Sequence, residues 1–211
     1  MAAPTVEERR RERRSQARRA ILDATGALLV EEGYAGFSIR KLVERCGYSA
    51  PTIYHHFGDK HGLIDALLEE RFQVLYRQMS RVPRHADPLD HLHASARAFV
   101  RFGLRHPAHY QLLTMLRDPD RESPPSLEES REVLFRPLRE LSDTGRLRSS
   151  DVDTAAQSIW SLAHGLISLQ TTHPEYDWSD SLIEHSIEAL LRGMVAPHSA
   201  PRTRSRQKGR T

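Results

Sequence analysis

The chain has 211 residues, enough to bury a core in one large or two small domains. Its mean hydropathy of −0.58, and the lack of any apolar run near the roughly 20 residues of a bilayer span, argue against a membrane protein. The single cysteine, Cys46, excludes an intrachain disulfide. Because the Arg-rich N-terminus also lacks the apolar segment of a signal peptide, we expect a cytoplasmic protein.

The net charge of +3 is unevenly distributed along the chain. Residues 1–19 carry seven Arg and three Glu, and residues 202–211 carry five Lys or Arg and no acid. The body between them has 19 basic and 25 acidic side chains. Basic ends on an acidic body suit phosphate contact at the ends. The alternative is that both ends are only solvated and bind nothing. In either case we predict a disordered basic arm at 1–13 and a basic disordered tail at 198–211.

Two helices are expected first. One runs from about Arg14 to Gly33, on an apolar stripe formed by Ala17, Ala20, Ile21, Ala24 and Leu28. The other begins after Ser38, a suitable N-cap, and ends at Gly47, a residue that favours helix termination. Its apolar face consists of Ile39, Leu42, Val43 and Cys46.

A third short helix follows almost at once. Ser49 is at its N-cap position, Pro51 lies in its first turn where a missing N–H costs little, and Ile53 and Phe57 share a face. Two short helices joined by a turn at Gly47 form a helix-turn-helix, which places its second helix in a DNA major groove.

These helices contain the most diagnostic stretch of the chain, Tyr48-Ser-Ala-Pro-Thr-Ile-Tyr-His-His-Phe-Gly-Asp-Lys60. With its flanking segments, residues 18–70 resemble the DNA-binding domain of TetR-type transcriptional regulators. The resemblance implies DNA contacts at Arg40, Ser49, Ala50, Pro51, Thr52, Tyr54, His55 and Lys60.

The chemistry of these side chains suits DNA. Hydroxyls of Thr52 and Tyr54 can donate to phosphate, and Lys60 offers a point charge. Arg40 can either read a guanine edge or clamp a phosphate. The alternative is that Tyr54 packs inside the small domain and Lys60 is simply solvated, and for His56 we favour packing.

The rest of the chain also has helical signals. Asp59 can cap a fourth helix with the apolar residues Leu63, Ile64, Leu67, Leu68, Leu75 and Met79. Pro83 and Pro88 mark a boundary. We therefore divide the ordered chain into a helix-turn-helix domain at 14–60, a linking helix at 61–82 and a C-terminal ligand-binding and dimerisation domain at 83–197.

Five further helices are predicted after this boundary. Two lie on either side of Pro107, and the second of them ends near Arg117. Ser126 with Glu129 forms a capping-box pattern for the next helix, which ends at Gly145.

Each of the last two helices has two candidate start residues: Asp151 or Asp153 for one, and Ser179 or Asp180 for the other. Alternating Val-, Ile- and Thr-rich runs are absent, so the expected fold class is all-α, with about nine helices.

The segments Phe102-Gly-Leu-Arg-His-Pro-Ala-His-Tyr110 and Trp160-Ser-Leu-Ala-His-Gly165 are similar to one subgroup of TetR-type C-terminal domains, marked by a Trp, a His and a Gly in the penultimate helix. Helical domains of this size commonly enclose a pocket. Our predicted ligand-binding wall consists of Phe99, Phe102, His106, Tyr110, Leu113, Leu138, Trp160, His164 and Ile167. The alternative for each is plain core packing.

Metal, cofactor and enzyme chemistry have little support. His91 and His93 point to different helical sides, and His55 and His56 are adjacent, so neither is a preformed ligand pair. Gly-x-Ser-x-Gly, glycine-loop and His-Glu-x-x-His motifs are absent, so we expect no cofactor and no metal. A remote enzyme alternative would use His106, His109, His164 and Asp118.

The predicted function is a ligand-responsive, DNA-binding transcriptional regulator, a repressor released from a palindromic operator by a small apolar or aromatic effector. A homodimer through the last two helices would place two recognition helices about 34 Å apart, one turn of B-DNA. The expected partners are double-stranded DNA, a second copy and the effector, with no membrane. The alternative is a DNA-binding dimer with no small-molecule ligand.

Overall fold

The computed structural model describes residues 5–116, 123–148 and 151–196, so Arg117, Asp118 and the predicted tail at 198–211 lie outside the described residues. Within these ranges the chain forms nine helices and no strand, apart from an isolated bridge between Leu147 and Val195. The predicted all-α class is confirmed. The helices are α1 (Val6–Gly36), α2 (Ile39–Cys46), α3 (Ala50–Phe57), α4 (Lys60–Met79), α5 (Pro88–Arg105), α6 (Pro107–Met115), α7 (Pro125–Asp143), α8 (Val152–Thr172) and α9 (Leu182–Met194).

The start of α1 corrects the prediction of a disordered arm over residues 5–13, whereas residues 1–4 of that arm lie outside the described residues. Residues 6–13 are helical because Thr5 and Glu8 form a capping box: the Thr5 hydroxyl accepts from the Glu8 amide at 3.2 Å, and the Glu8 carboxylate accepts from the Thr5 amide at 2.6 Å. At the other end Gly33 interrupts the helix with φ of 71°, at the residue where the sequence predicted its end.

The predicted caps of the next three helices are confirmed. The Ser38 and Ser49 hydroxyls each accept from a backbone amide three residues on, both at 3.3 Å, and Asp59 accepts from the Gly62 amide at 2.7 Å. Gly47 ends α2 in the left-handed conformation, with φ of 73°. These short-range bonds fix where α3 begins and ends.

Two predicted helix starts are wrong. In α7, Ser126 does not form a capping box with Glu129; the N-cap position is Pro124, and Ser126 lies within the helix. Its amide and hydroxyl instead donate to Glu69 of α4, at 3.3 and 2.6 Å. In α9 the N-cap position is Ser181, whose side chain makes no capping bond. For α8, the structure selects Asp151 as the N-cap.

The core that supports the helix-turn-helix extends beyond residue 83. Ile21, Leu42, Ile53 and Leu63 have no exposed surface, and their cluster continues into Phe102, Leu112, Leu113 and Leu116 of the α5–α6 region. Two further clusters join α5 and α7 to α8 and α9. α5 and α8 approach closely at Gly103, where an added Cβ would lie 2.5 Å from Ile167 Cδ1. The four helices α1–α4, which we call the reading head, are therefore packed directly against the C-terminal helices.

Candidate functional site

The helix α3 has one fully buried anchor and an exposed outer surface. Ile53 has 0% exposure, whereas Tyr54 is 42% exposed. Among the other predicted DNA contacts of this segment, Ser49, Pro51 and His55 are exposed, and Ala50 and Thr52 are half-buried. Ile53, together with the partly buried Phe57, anchors one face of the capped helix on the core and leaves the other faces free for a partner.

Four of the predicted contacts already have partners within the chain: Arg40, Ser49, Thr52 and Lys60. Arg40 of α2 is 88% exposed at its side chain, and its Nε donates to Glu44 at 3.1 Å. The Ser49 and Thr52 hydroxyl oxygens lie 2.9 Å apart. An exposed i,i+4 pair such as Arg40–Glu44 is weak, so a phosphate or base can displace the carboxylate.

Lys60 is not simply solvated, which was the alternative to its predicted contact with DNA. Its ammonium donates to the Phe37 carbonyl at 3.4 Å and lies 4.8 Å from the Tyr34 ring centroid and 5.3 Å from the Phe37 ring centroid. It therefore ties the start of α4 to the α1–α2 connection, at the edge of the reading head.

An open cleft of about 530 Å³ lies between α1 and α3. One wall comes from α1, the other from α3 and the turn before it. The lining residues are Arg10, Arg13, Arg14, Gln16, Ala17, Tyr48, His55 and His56. This basic cleft was missed because the sequence places its two walls some 40 positions apart.

His56, which we expected to pack inside the domain, is half-buried at this cleft. Burial lowers the pKa of His56, and the positive charges of Arg14, His55 and Arg18 lower this pKa further. Arg18 also lies over the Phe57 ring, at 5.3 Å from its centroid. The surroundings of His56 are thus electropositive and favour an anion.

Four of the predicted ligand-binding residues form one cluster in the C-terminal region. The Tyr110 hydroxyl and His164 Nδ1 are hydrogen-bonded at 2.6 Å. The His164 ring centroid lies 4.7 Å from that of Trp160 and 5.5 Å from that of Phe99. Burial lowers the pKa of His164 to about 4 and raises the pKa of Tyr110, so both are neutral at pH 7. This aromatic cluster is half-buried, because Trp160 is 52% exposed.

Of the other five predicted ligand-binding residues, only Ile167 belongs to a core against which Phe99 and Tyr110 pack; the remaining four lie elsewhere. Phe102 and Leu113 belong to the core of the reading head, and Leu138 belongs to a separate core with α8 and α9. Ile167 is fully buried against Gly103, and His106 is exposed at the α5–α6 junction. Sequence periodicity identified these side chains as apolar or helical, but it could not show which core each one enters.

The three histidines of the enzyme alternative do not converge. His109 Nε2 donates to the Arg71 carbonyl at 2.9 Å, and both His109 and His106 pack against the Phe102 ring. His164 is instead bonded to Tyr110. Asp118, the fourth member, lies outside the described residues.

The capped α2–turn–α3 unit on an all-α body defines a helix-turn-helix protein. Residues 21–67 match the family described as bacterial regulatory proteins, tetR family, and residues 92–194 match that described as tetracyclin repressor-like, C-terminal domain. The chain belongs to the TetR family, whose members are transcriptional regulators and not enzymes.

Individual relatives agree with this assignment. The HTH-type transcriptional repressor AcnR of Corynebacterium glutamicum is 41% identical over 56 residues, which are 26% of this chain and 30% of AcnR. A TetR family transcription regulator of Marinobacter aquaeolei VT8 has the same fold, with a TM-score of 0.75 at 17% identity over 89% of this chain and all of that one. AibR, solved with isovaleryl coenzyme A and operator DNA, gives a TM-score of 0.60 at 19% identity over 84% of this chain and 97% of AibR.

The sequence resemblance to AcnR is thus confined to about a third of that repressor's length, and the structural similarities establish the fold alone. In the part of the chain that the structure describes, no helix combines the length and apolar character that crossing a membrane requires.

Proposed function

We propose that this protein is a homodimeric transcriptional repressor that reads a palindromic operator with α3 and is released by a small apolar or aromatic effector. The observation that carries the proposal is the anchoring of α3: Ile53 is fully buried, both ends of the helix are held by short-range bonds, and Tyr54 and His55 face outward. A rigid helix with a free outer surface suits insertion into a major groove.

Family relatives support the DNA-binding part of this proposal. AcnR is named a transcriptional repressor, and AibR was solved with operator DNA and a coenzyme A thioester. These are properties of those proteins, and they make DNA and an acyl or otherwise apolar effector the first candidates to test with this chain.

Dimerisation through α8 and α9 is supported by the apolar side chains and glycines that these two helices leave at least partly exposed. Leu169 of α8 is 50% exposed, and Ala189 of α9 is exposed. A Cβ added at Gly165 or Gly193 would meet no described atom within 4 Å, apart from the adjoining atoms of the glycine's own helix. Packing inside one chain does not require these glycines, whereas close approach of a second copy would.

Selection of duplexes from a random-sequence pool tests the DNA-binding proposal. We expect enrichment of an inverted repeat whose half-sites are separated by about one helical turn, because a two-fold dimer presents two α3 helices in that arrangement. Failure to enrich any sequence at low salt, with folded dimeric protein, would overturn the proposal.

The aromatic cluster formed by Phe99, Tyr110, Trp160 and His164 is the proposed effector site. A ligand there would shift the equilibrium between two spacings of the reading heads. In a thermal-shift screen of apolar and aromatic compounds, the wild type should be stabilised by its effector, and Trp160→Ala should lose that response while it still binds the selected operator. If no compound stabilises the wild type or releases it from the operator, the alternative of a DNA-binding dimer with no small-molecule ligand is favoured.

A further inference from the structure

Two arginines of α5 meet a single carboxylate of α9. Arg97 and Arg101 are one helical turn apart, and their guanidinium groups lie near the same oxygen of Glu184, Oε1, at 3.5 and 3.1 Å. Among the described residues, Glu184 is the only ion-pair partner of either arginine. The two positive charges are therefore only half neutralised.

The carboxylate of Glu184 does not satisfy the donors around it. Only its contact with Arg101 has the length of an ordinary hydrogen bond, since Arg97 lies at the outer limit and His93 Nε2 is 3.7 Å from the other carboxylate oxygen. Glu184 also lies in the first turn of α9, whose N-cap residue Ser181 makes no capping bond. The positive end of the α9 dipole therefore adds to the positive charge of this junction.

The junction is built on packed helices and is open to solvent. Val100 of α5 is fully buried, and Ile183 of α9 packs against the same core, so the two backbones are held in place. The side chains of Arg97, Arg101 and Glu184 are 40, 54 and 37% exposed. An ion in solution can therefore reach the arginines, and ion pairs at this exposure are weak enough to be displaced.

The arrangement of donors fits a phosphate better than a carboxylate. The two guanidinium groups share one oxygen of Glu184, whereas a phosphate offers each of them a separate oxygen and leaves a third for His93. Charge acts in the same direction, because a phosphoryl group carries about −1.5 to −2 charges at pH 7, more than the carboxylate that it would replace.

We propose that the α5–α9 junction formed by His93, Arg97, Arg101 and Glu184 binds a phosphate group, either free or carried by a small metabolite, and that this anion displaces the Glu184 carboxylate. The site is separate from the aromatic cluster, because Phe99 of that cluster lies about 200° around α5 from Arg97. It goes beyond the proposed function and does not depend on the reading role of α3.

Isothermal titration of the full-length protein with inorganic phosphate tests the site directly. A sodium chloride titration at the same ionic strength is the blank, so that screening of surface charge cannot imitate binding. The wild type should show saturable binding at a single site per chain. Methyl phosphate is the second probe and should bind about as well, because the half-exposed site leaves one phosphate oxygen in solvent; its rejection would assign the site to free phosphate.

Two variants should change the affinity for phosphate in opposite directions. Arg97→Gln/Arg101→Gln should weaken it by about tenfold or more, because two charge-assisted hydrogen bonds are lost. Glu184→Gln should strengthen it by about threefold or more, because a like charge is removed from beside the anion. An ion pair with a structural role alone predicts no gain of affinity when the carboxylate is removed.

The matched control is Arg131→Gln/Arg136→Gln. It removes two arginines of similar exposure, 48 and 54%, from α7, where each is paired with a glutamate of its own helix. The control should bind phosphate as the wild type does. Glutamine favours helix, so every variant should keep the wild-type helix content, which circular dichroism measures.

No saturable phosphate binding by the wild type would overturn the inference, and so would an Arg97→Gln/Arg101→Gln affinity equal to that of the matched control. If the double variant loses its fold, the more exposed Arg101→Gln alone is compared with Glu184→Gln, and equal affinities of these two would overturn the inference. Selection of an operator does not involve this junction, so each of these results leaves the proposed function standing.

Discussion

At the scale of single residues, His164 has the most strongly perturbed environment in the C-terminal cluster. Its Nδ1 is bonded to the Tyr110 hydroxyl, and the rings of Trp160 and Phe99 cover it. Burial lowers the pKa of His164 to about 4, so the imidazole is neutral in the folded protein at pH 5 to 7. A neutral polar group inside an aromatic wall can orient a ligand without a buried charge.

This depressed pKa predicts an acid-sensitive contribution to stability. The unfolded chain binds a proton at His164 near pH 6.5, and the folded chain does so only near pH 4, so the contribution is present above pH 6.5 and is lost as pH falls toward 4. Between about pH 6.5 and 4.5 we expect the wild type to lose about 1–2 kcal/mol more unfolding free energy than His164→Asn, after allowance for partial solvation. Urea unfolding at several pH values measures this difference, and parallel pH profiles for the two proteins would contradict it.

At the scale of elements, the contact between α4 and α7 joins the reading head to the body. Glu69 of α4 accepts from the amide and hydroxyl of Ser126 in the first turn of α7, and also from Gln73 at 2.8 Å. Burial opposes ionisation of Glu69, but these hydrogen bonds outweigh it and lower the pKa of the carboxyl. The negative charge also stabilises the N-terminus of α7, which no local side chain caps.

Removal of this carboxylate should destabilise the protein. Glu69→Ala leaves the amide and hydroxyl of Ser126 without their acceptor, at an expected cost of about 1–3 kcal/mol in unfolding free energy, and Glu69→Gln should cost less because an oxygen remains. Glu70→Ala is the matched control, since Glu70 is on the same helix and makes no hydrogen bond among the described residues. Chemical denaturation measures the three variants, and equal losses for Glu69→Ala and Glu70→Ala would show that the contact contributes nothing.

At the scale of the whole molecule, the basic surface lies at the N-terminal end of a chain whose body is acidic. The outer surface of α3 has few charged groups, and Arg10, Arg13 and Arg14 of α1 line the cleft beside it. Affinity for DNA should therefore depend more on phosphate contacts than on hydrogen bonds to bases.

We accordingly expect operator binding to be strongly salt-dependent. With about six or more phosphates bound by the dimer, affinity should fall by about a thousandfold or more between about 50 and 200 mM salt. Titration of the selected duplex at several salt concentrations measures this slope. A binding constant that stays nearly flat over this range would indicate readout by bases and would contradict the charge-based account.

Much of the reading head could be predicted because its signals are local. The caps at Ser38, Ser49 and Asp59 and the left-handed Gly47 act on groups within four residues, so short-range steric and hydrogen-bonding rules determine them. The capping box at Thr5 is equally local, but the arginines that follow it suggested disorder.

The sequence by itself determined the all-α class, the helix-turn-helix and the family, since periodicity and short motifs carry that information. Only the tertiary structure decided that Glu69 caps a helix 57 positions away, that Arg10 and His55 share one cleft, and that Leu138 enters a different core from Phe99 and Tyr110. These outcomes depend on which helices pack together, and an apolar stripe specifies that a face is buried without specifying against which helix.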